Sequence, residues 1–100
     1  MAIVEVSVIP LGTKSTGVSN YVAAALRVLQ KSGLKYQLTP MGTIIEGELD
    51  IVMPVVRQMH EACFKEGTAR VVTTIKIDDR RDKPLTMETK VQSVHKKMEG

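Results

Sequence analysis

Hydrophobic and polar residues alternate from Ala2 to Ile9, with Ala2, Val4, Val6 and Val8 on one face and Ile3, Glu5, Ser7 and Ile9 on the other. A period of two predicts a strand with one dry face. Pro10 and Gly12 predict its end, and the small-residue loop that follows leads to Ser19 or Asn20 as the cap of a helix. Val18, Val22, Ala25, Leu26 and Leu29 then recur at helical spacing until Gly33 stops the run. Leu34, Tyr36 and Leu38 alternate with Lys35, Gln37 and Thr39, and Pro40-Met41-Gly42 turns the chain tightly into Thr43-Ile-Ile-Glu46. This pair predicts a hairpin that sends Glu46 to one side and Thr43 and Ile45 to the other.

The second half repeats the plan. Asp50 is the expected cap of a helix whose apolar stripe is Val52, Val55, Val56, Met59 and Cys63, with Pro54 in about its first turn and Gly67 at its end. Arg70 to Asp78 alternates Val71, Thr73, Ile75 and Ile77 against Val72, Thr74, Lys76 and Asp78, the β-branched pattern of a final strand. A polar turn follows, and Thr86 caps a last helix bearing Met87, Val91, Val94 and Met98. The order is therefore an α+β, ferredoxin-like βαββαβ sandwich with an antiparallel sheet and an added C-terminal helix, in one domain spanning residues 1–100. Helices cover one sheet face. Ser7, Thr74 and Lys76, with apolar Ile3, Ile9 and Val72, are left for the other, a mixed surface better suited to a neighbour or a ligand than to water.

Composition narrows the function. With 43% hydrophobic and 25% charged residues the chain is ordinary globular material rather than disordered. At 100 residues its core is thin, which favours self-association. The net charge of +3 is confined to the stretch from Arg80 to Gly100, where six basic residues meet three acidic ones, the signature of a solvated helix face rather than a nucleic-acid footprint. An RNA-recognition sheet needs aromatic residues on its central strands, and the chain has only Tyr21, Tyr36 and Phe64. One cysteine excludes an intramolecular disulfide and a Cys-x-x-Cys metal loop. The opening Met-Ala-Ile-Val-Glu lacks a basic leader and no stretch reaches a membrane span, so a cytoplasmic protein without membrane or nucleic-acid partners is expected.

Candidate chemistry is sparse. Gly12-Thr-Lys-Ser-Thr-Gly17 lacks the lysine that an NTP-binding loop needs after its second glycine, where Val18 stands; Lys14 and the hydroxyls leave a weaker expectation of a phosphate or sulfate site. His60 and His95 fall on helices as surface residues, Cys63 completes an apolar stripe, and no triad or carboxylate dyad assembles. No catalytic residue, metal site or cofactor is therefore expected.

Ser7-Val-Ile-Pro10-Leu-Gly12, Ser32-Gly-Leu-Lys-Tyr36, Met41-Gly-Thr43-Ile-Ile-Glu46-Gly47 and Ile77-Asp-Asp-Arg80 together resemble the small thiamine-binding protein family along nearly the whole chain. The resemblance implies a ferredoxin-like homodimer that pairs into a tetramer and binds thiamine or its hydroxymethylpyrimidine part. An aminopyrimidine offers an amine donor beside a ring acceptor. Glu46 would accept from the amine, with Thr43 or Ser7 completing the pattern, and a thiazolium cation would suit a carboxylate and the ring face of Tyr36. The alternative is a structural or regulatory homo-oligomer without a small ligand.

Overall fold

The computed structural model describes residues 1–13 and 19–100. Strands β1 (Ala2–Leu11), β2 (Lys35–Thr39), β3 (Gly42–Gly47) and β4 (Arg70–Asp79) form one sheet in the order β2-β3-β1-β4. Every neighbouring pair is antiparallel. Helices α1 (Ser19–Ser32), α2 (Leu49–Lys65) and α3 (Met87–Glu99) complete the chain. This is the expected ferredoxin-like α+β fold with a third helix added at the end.

The alternation in β1 has the anticipated consequence. Ala2, Val4 and Val6 pair laterally with Gly47, Ile45 and Thr43 of β3 and turn toward the helices. There they meet Ala25 and Leu29 of α1 and Val52, Val56 and Met59 of α2 in one buried cluster. At Gly47 a Cβ would stand 3.0 Å from Val52 Cγ2 and 3.2 Å from Leu34 Cδ2, tighter than ordinary contact, so a larger residue there would have to displace both side chains. Gly33, at φ +76°, and Gly67, at φ +104°, take the left-handed conformation that ends each helix.

Two local expectations are corrected. β1 continues through Pro10 to Leu11 instead of ending at the proline. The reason is that its ladder with β3 stops at Val6, so beyond that point one side of β1 has no partner that a missing N–H would deprive. Helix α2 starts at Leu49 with Glu48 as its N-cap, so Asp50 lies inside the first turn rather than capping it. The Glu48 carbonyl accepts from Ile51 and Val52 N–H, and the Asp50 carboxylate instead complements the helix dipole.

The third helix departs most from its sequence pattern. Thr86 does cap it, accepting from Thr89 N–H at 3.0 Å, while Thr86 N–H donates to Thr89 Oγ1 at 3.1 Å. Its apolar stripe, however, is not buried: Val91 is 56% exposed and Met98 77%. The radius of gyration is 15.2 Å, against about 13 Å for a compact domain of this length. Helix α3 thus stands off the core instead of closing over it.

The load on the central strand sets the first expectation. Ile45 is fully buried in the core cluster that the sheet shares with α1 and α2, and urea unfolding of Ile45→Ala should show a loss of about 3 kcal/mol.

Candidate functional site

Cross-strand register arranges the open face of the sheet in ranks. Lys35 pairs with Glu46, Glu46 with Ile3, and Ile3 with Asp78, so these four form one rank across all the strands. The next is Gln37, Ile44, Glu5 and Lys76. Successive ranks on one face lie roughly 7 Å apart.

Helix α3 is tied to the first rank at its beginning. The Glu46 carboxylate is only 6% exposed, and a charge so placed is costly unless it is paired. Its Oε2 accepts from Met87 N–H at 3.4 Å and lies 3.5 Å from Lys35 Nζ. Met87 is the first residue of α3, whose leading N–H groups have no partner within the helix, so the carboxylate satisfies one of them and faces the positive end of the helix dipole. Lys35 Nζ also meets Glu88 Oε1 at 2.5 Å, and Lys90 pairs with Asp78 at the far end of the rank. The hydrogen bond to Glu88 is the main cause that holds the Lys35 ammonium above its usual pKa, and the same bond holds the Glu88 carboxyl below the ordinary range.

The second rank is left uncovered beneath the helix. Gln37, Ile44, Glu5 and Lys76 floor a cleft of about 900 Å³, with Ile3 at its side and Met87, Val91 and Gln92 overhead. Three carboxylates, Glu5, Asp78 and Glu88, and two ammonium groups, Lys76 and Lys90, line it. Apolar walls with a few convergent polar groups are the ordinary make-up of a small-molecule site. Asp78 is held by Lys90 and Glu88 by Lys35, so Glu5, which is in no ion pair among the described residues, is the carboxylate left to meet a cation. The Gln37 amide adds a donor and an acceptor side by side.

The residues expected from the sequence are distributed, not gathered. Glu46 stands on the open face beside the cleft and anchors its roof. Thr43, three residues earlier on β3, is on the helix-covered face and 5% exposed. The odd spacing forces this, since neighbouring strand residues alternate sides. Tyr36 pairs with Ile45 and so shares that opposite face, at the edge of the sheet. Ser7 is on the open face opposite Thr74, roughly 13 Å along β1 from the rank of Glu46. Lys14 lies outside the described residues. The residues flanking its loop, including Thr13, Asn20, Thr68 and Arg70, border a separate cleft of about 760 Å³ at the other end of the sheet.

Gln37, Glu5 and Lys35 were not singled out from the sequence. Their shared signal is phase, since each alternates outward from an apolar strand face, but only the register between strands aligns them. Cys63 is buried, with its thiol near the Met59 and Tyr21 carbonyls, and burial raises its pKa, as suits a packing residue. His60 Nδ1 is 2.6 Å from Thr73 Oγ1, and its ring meets Phe64 edge-on. Among the described residues no cluster of three or more His, Cys, Asp or Glu could hold a metal, and no helix is long and apolar enough to cross a membrane.

The sequence profile of the family described as "Thiamine-binding protein" matches residues 4–95. UPF0045 protein YqgV of Bacillus subtilis is 48% identical, with 99% of each chain covered. A UPF0045 protein of Methanothermobacter thermautotrophicus is 48% identical over 98% of this chain and all of its own. The crystal structure of the hypothetical protein MJ1052 from Methanocaldococcus jannaschii superposes with a TM-score of 0.87 at 39% identity, covering 94% of this chain and 95% of that one. A putative thiamine biosynthesis/salvage protein from Thermotoga maritima shares the fold, with a TM-score of 0.79 at 24% identity over 93% and 97% of the two chains. The chain belongs to the thiamine-binding protein family.

The tie at the mouth of the cleft is open to titration. Because the Glu88 pKa is lowered in the folded state, its pairing with Lys35 is in force above the ordinary carboxylate value of 4.5 and is lost as the pH falls through the lowered one. The Glu88 carboxyl carbon followed by NMR should titrate below 4.5, and in Lys35→Met its midpoint should rise toward that value.

Proposed function

We propose that this member of the thiamine-binding protein family holds thiamine, or its hydroxymethylpyrimidine part, in the cleft between the second rank of the sheet and α3. It does so without catalysing a reaction, and serves to sequester or deliver the ligand. The observation that carries this reading is the floor of the cleft. Gln37 and Glu5 stand on either side of Ile44, so an aminopyrimidine lying on the isoleucine would face an amide that pairs with its amine and ring nitrogen. The Glu5 carboxylate would face the cationic ring. Glu46 serves this site indirectly, as the charge that fixes the start of the overlying helix.

Self-association belongs to the same reading. Ile9 and Val72 on the open face and Val91, Val94 and Met98 along α3 are all exposed. A second sheet or helix would remove this apolar surface from water. A homodimer or a tetramer of paired dimers would use it, leaving the cleft near a subunit contact.

Isothermal titration of the purified protein with thiamine and with hydroxymethylpyrimidine tests the reading. Saturable binding is expected, and Glu5→Gln or Gln37→Leu should weaken it by about tenfold or more, the usual effect of removing one buried hydrogen bond to a charged or amide partner. The assembled mass by light scattering should stay the same in both variants. No heat at millimolar ligand would defeat the proposal. Loss of assembly in the variants would favour a structural oligomer in which this face serves only packing.

A further inference from the structure

On the other side of α3, a groove of about 400 Å³ runs between the helix and the loop that follows β4. Arg80, Lys83, Lys90 and Lys97 line it against a single carboxylate, Asp78, with the hydroxyls of Thr89 and Ser93 among them. Two of the four cations are already engaged. Arg80 makes a forked pair with Asp82, at 2.6 and 2.9 Å, and Lys90 meets Asp78. Among the described residues Lys83 and Lys97 form no ion pair. Even with Asp82 included, four positive charges face two negative ones.

Thr89, Ser93 and Lys97 recur every fourth residue, so two hydroxyls and an ammonium follow one line along the helix for about 12 Å. Asp78 and Lys90 line both this groove and the larger cleft, so the two spaces meet at that ion pair. One space is largely apolar with the Glu5 carboxylate in its floor, and the adjoining one is cationic with the Ser93 hydroxyl beside its ammonium groups. The ligand that suits both has an aromatic cation at one end and an anion at the other.

We propose that the groove receives the phosphate of a phosphorylated ligand, so that the protein prefers a phosphate or diphosphate ester of the cleft's heteroaromatic alcohol to the free alcohol. This rests on the reading that thiamine occupies the cleft. A free alcohol brings no charge to that end and leaves Lys83 and Lys97 to water. A phosphate ester carries nearly two negative charges at neutral pH and several strong acceptor oxygens, which the Lys83 and Lys97 ammonium groups, neither held in an ion pair among the described residues, and the Ser93 hydroxyl match.

Titrations of thiamine, thiamine monophosphate, thiamine diphosphate and inorganic diphosphate into the full chain test the proposal, with Lys83→Ala/Lys97→Ala alongside. The wild type should bind thiamine diphosphate about tenfold tighter than thiamine at about 50 mM salt. The advantage should shrink at about 500 mM, because these cations are exposed and screened. In the double variant the ratio should fall to about one, with thermal melting by circular dichroism showing that the fold is kept. Equal affinities in the wild type, or a double variant that retains the preference, would overturn the proposal. If thiamine binds with no preference for its esters, this inference fails and the cleft reading stands. If only inorganic diphosphate binds, and does so through Lys83 and Lys97, both fail and the groove is a site for a free anion.

Discussion

A carboxylate held almost out of water on an open sheet face must be compensated, and the way Glu46 is compensated shapes everything around it. Lys35 supplies a counter-charge from the neighbouring edge strand, and Met87 supplies a backbone N–H from the start of α3. The second partner matters more for the architecture, because a helix whose first N–H is fixed to the sheet has its origin fixed too. The flanking pairs, Lys35 with Glu88 and Lys90 with Asp78, are exposed and contribute little stability individually. Their effect is orientation. With the first turn secured over one rank of residues, the remaining helix projects past the next rank and leaves space beneath it.

That arrangement accounts for a cleft in so small a chain. The helix-covered face is filled by α1 and α2 and leaves no room, as close packing around Leu29, Ile45 and Met59 requires. The open face has no such filling. A third helix lying flat on it would have buried Val91, Val94 and Met98, whereas tethering by the N-terminus alone leaves them exposed and keeps Gln37, Ile44 and Glu5 accessible from the side. In the cleft the carboxylates of Glu5, Asp78 and Glu88 are balanced by Lys76, Lys90 and Lys35, whereas the groove behind the helix keeps more cations than carboxylates.

Much of this was legible in the chain itself. The period-two runs through Val4 and Val6 and through Val71 and Thr73, the helical stripes ending at Gly33 and Gly67, and the tight turn at Pro40-Met41 determine the element order, and that order admits the observed sheet. The capping motif at Thr86 was equally plain. Periodicity along one strand does not contain the register between strands, and the site depends on register. It is the pairing of Ile44 with both Glu5 and Gln37 that makes a floor of three residues scattered in sequence. The hairpin's own alternation already placed Thr43 and Glu46 on opposite sides, so a pocket using both was never available to one ligand. The position of α3 was hidden for a different reason. An amphipathic stripe predicts burial, and here the polar contacts of Glu46, Lys35 and Asp78 decide where the helix goes.

The most direct measurement is a two-dimensional amide NMR titration of the isotope-labelled protein with thiamine, read residue by residue. Shifts concentrated at Glu5, Gln37, Ile44, Lys76 and Val91, around the space below α3, are expected. Shifts confined to Leu11, Asn20, Thr68 and Arg70 at the other end of the sheet, or no shifts at saturating ligand, would contradict the assignment of the cleft.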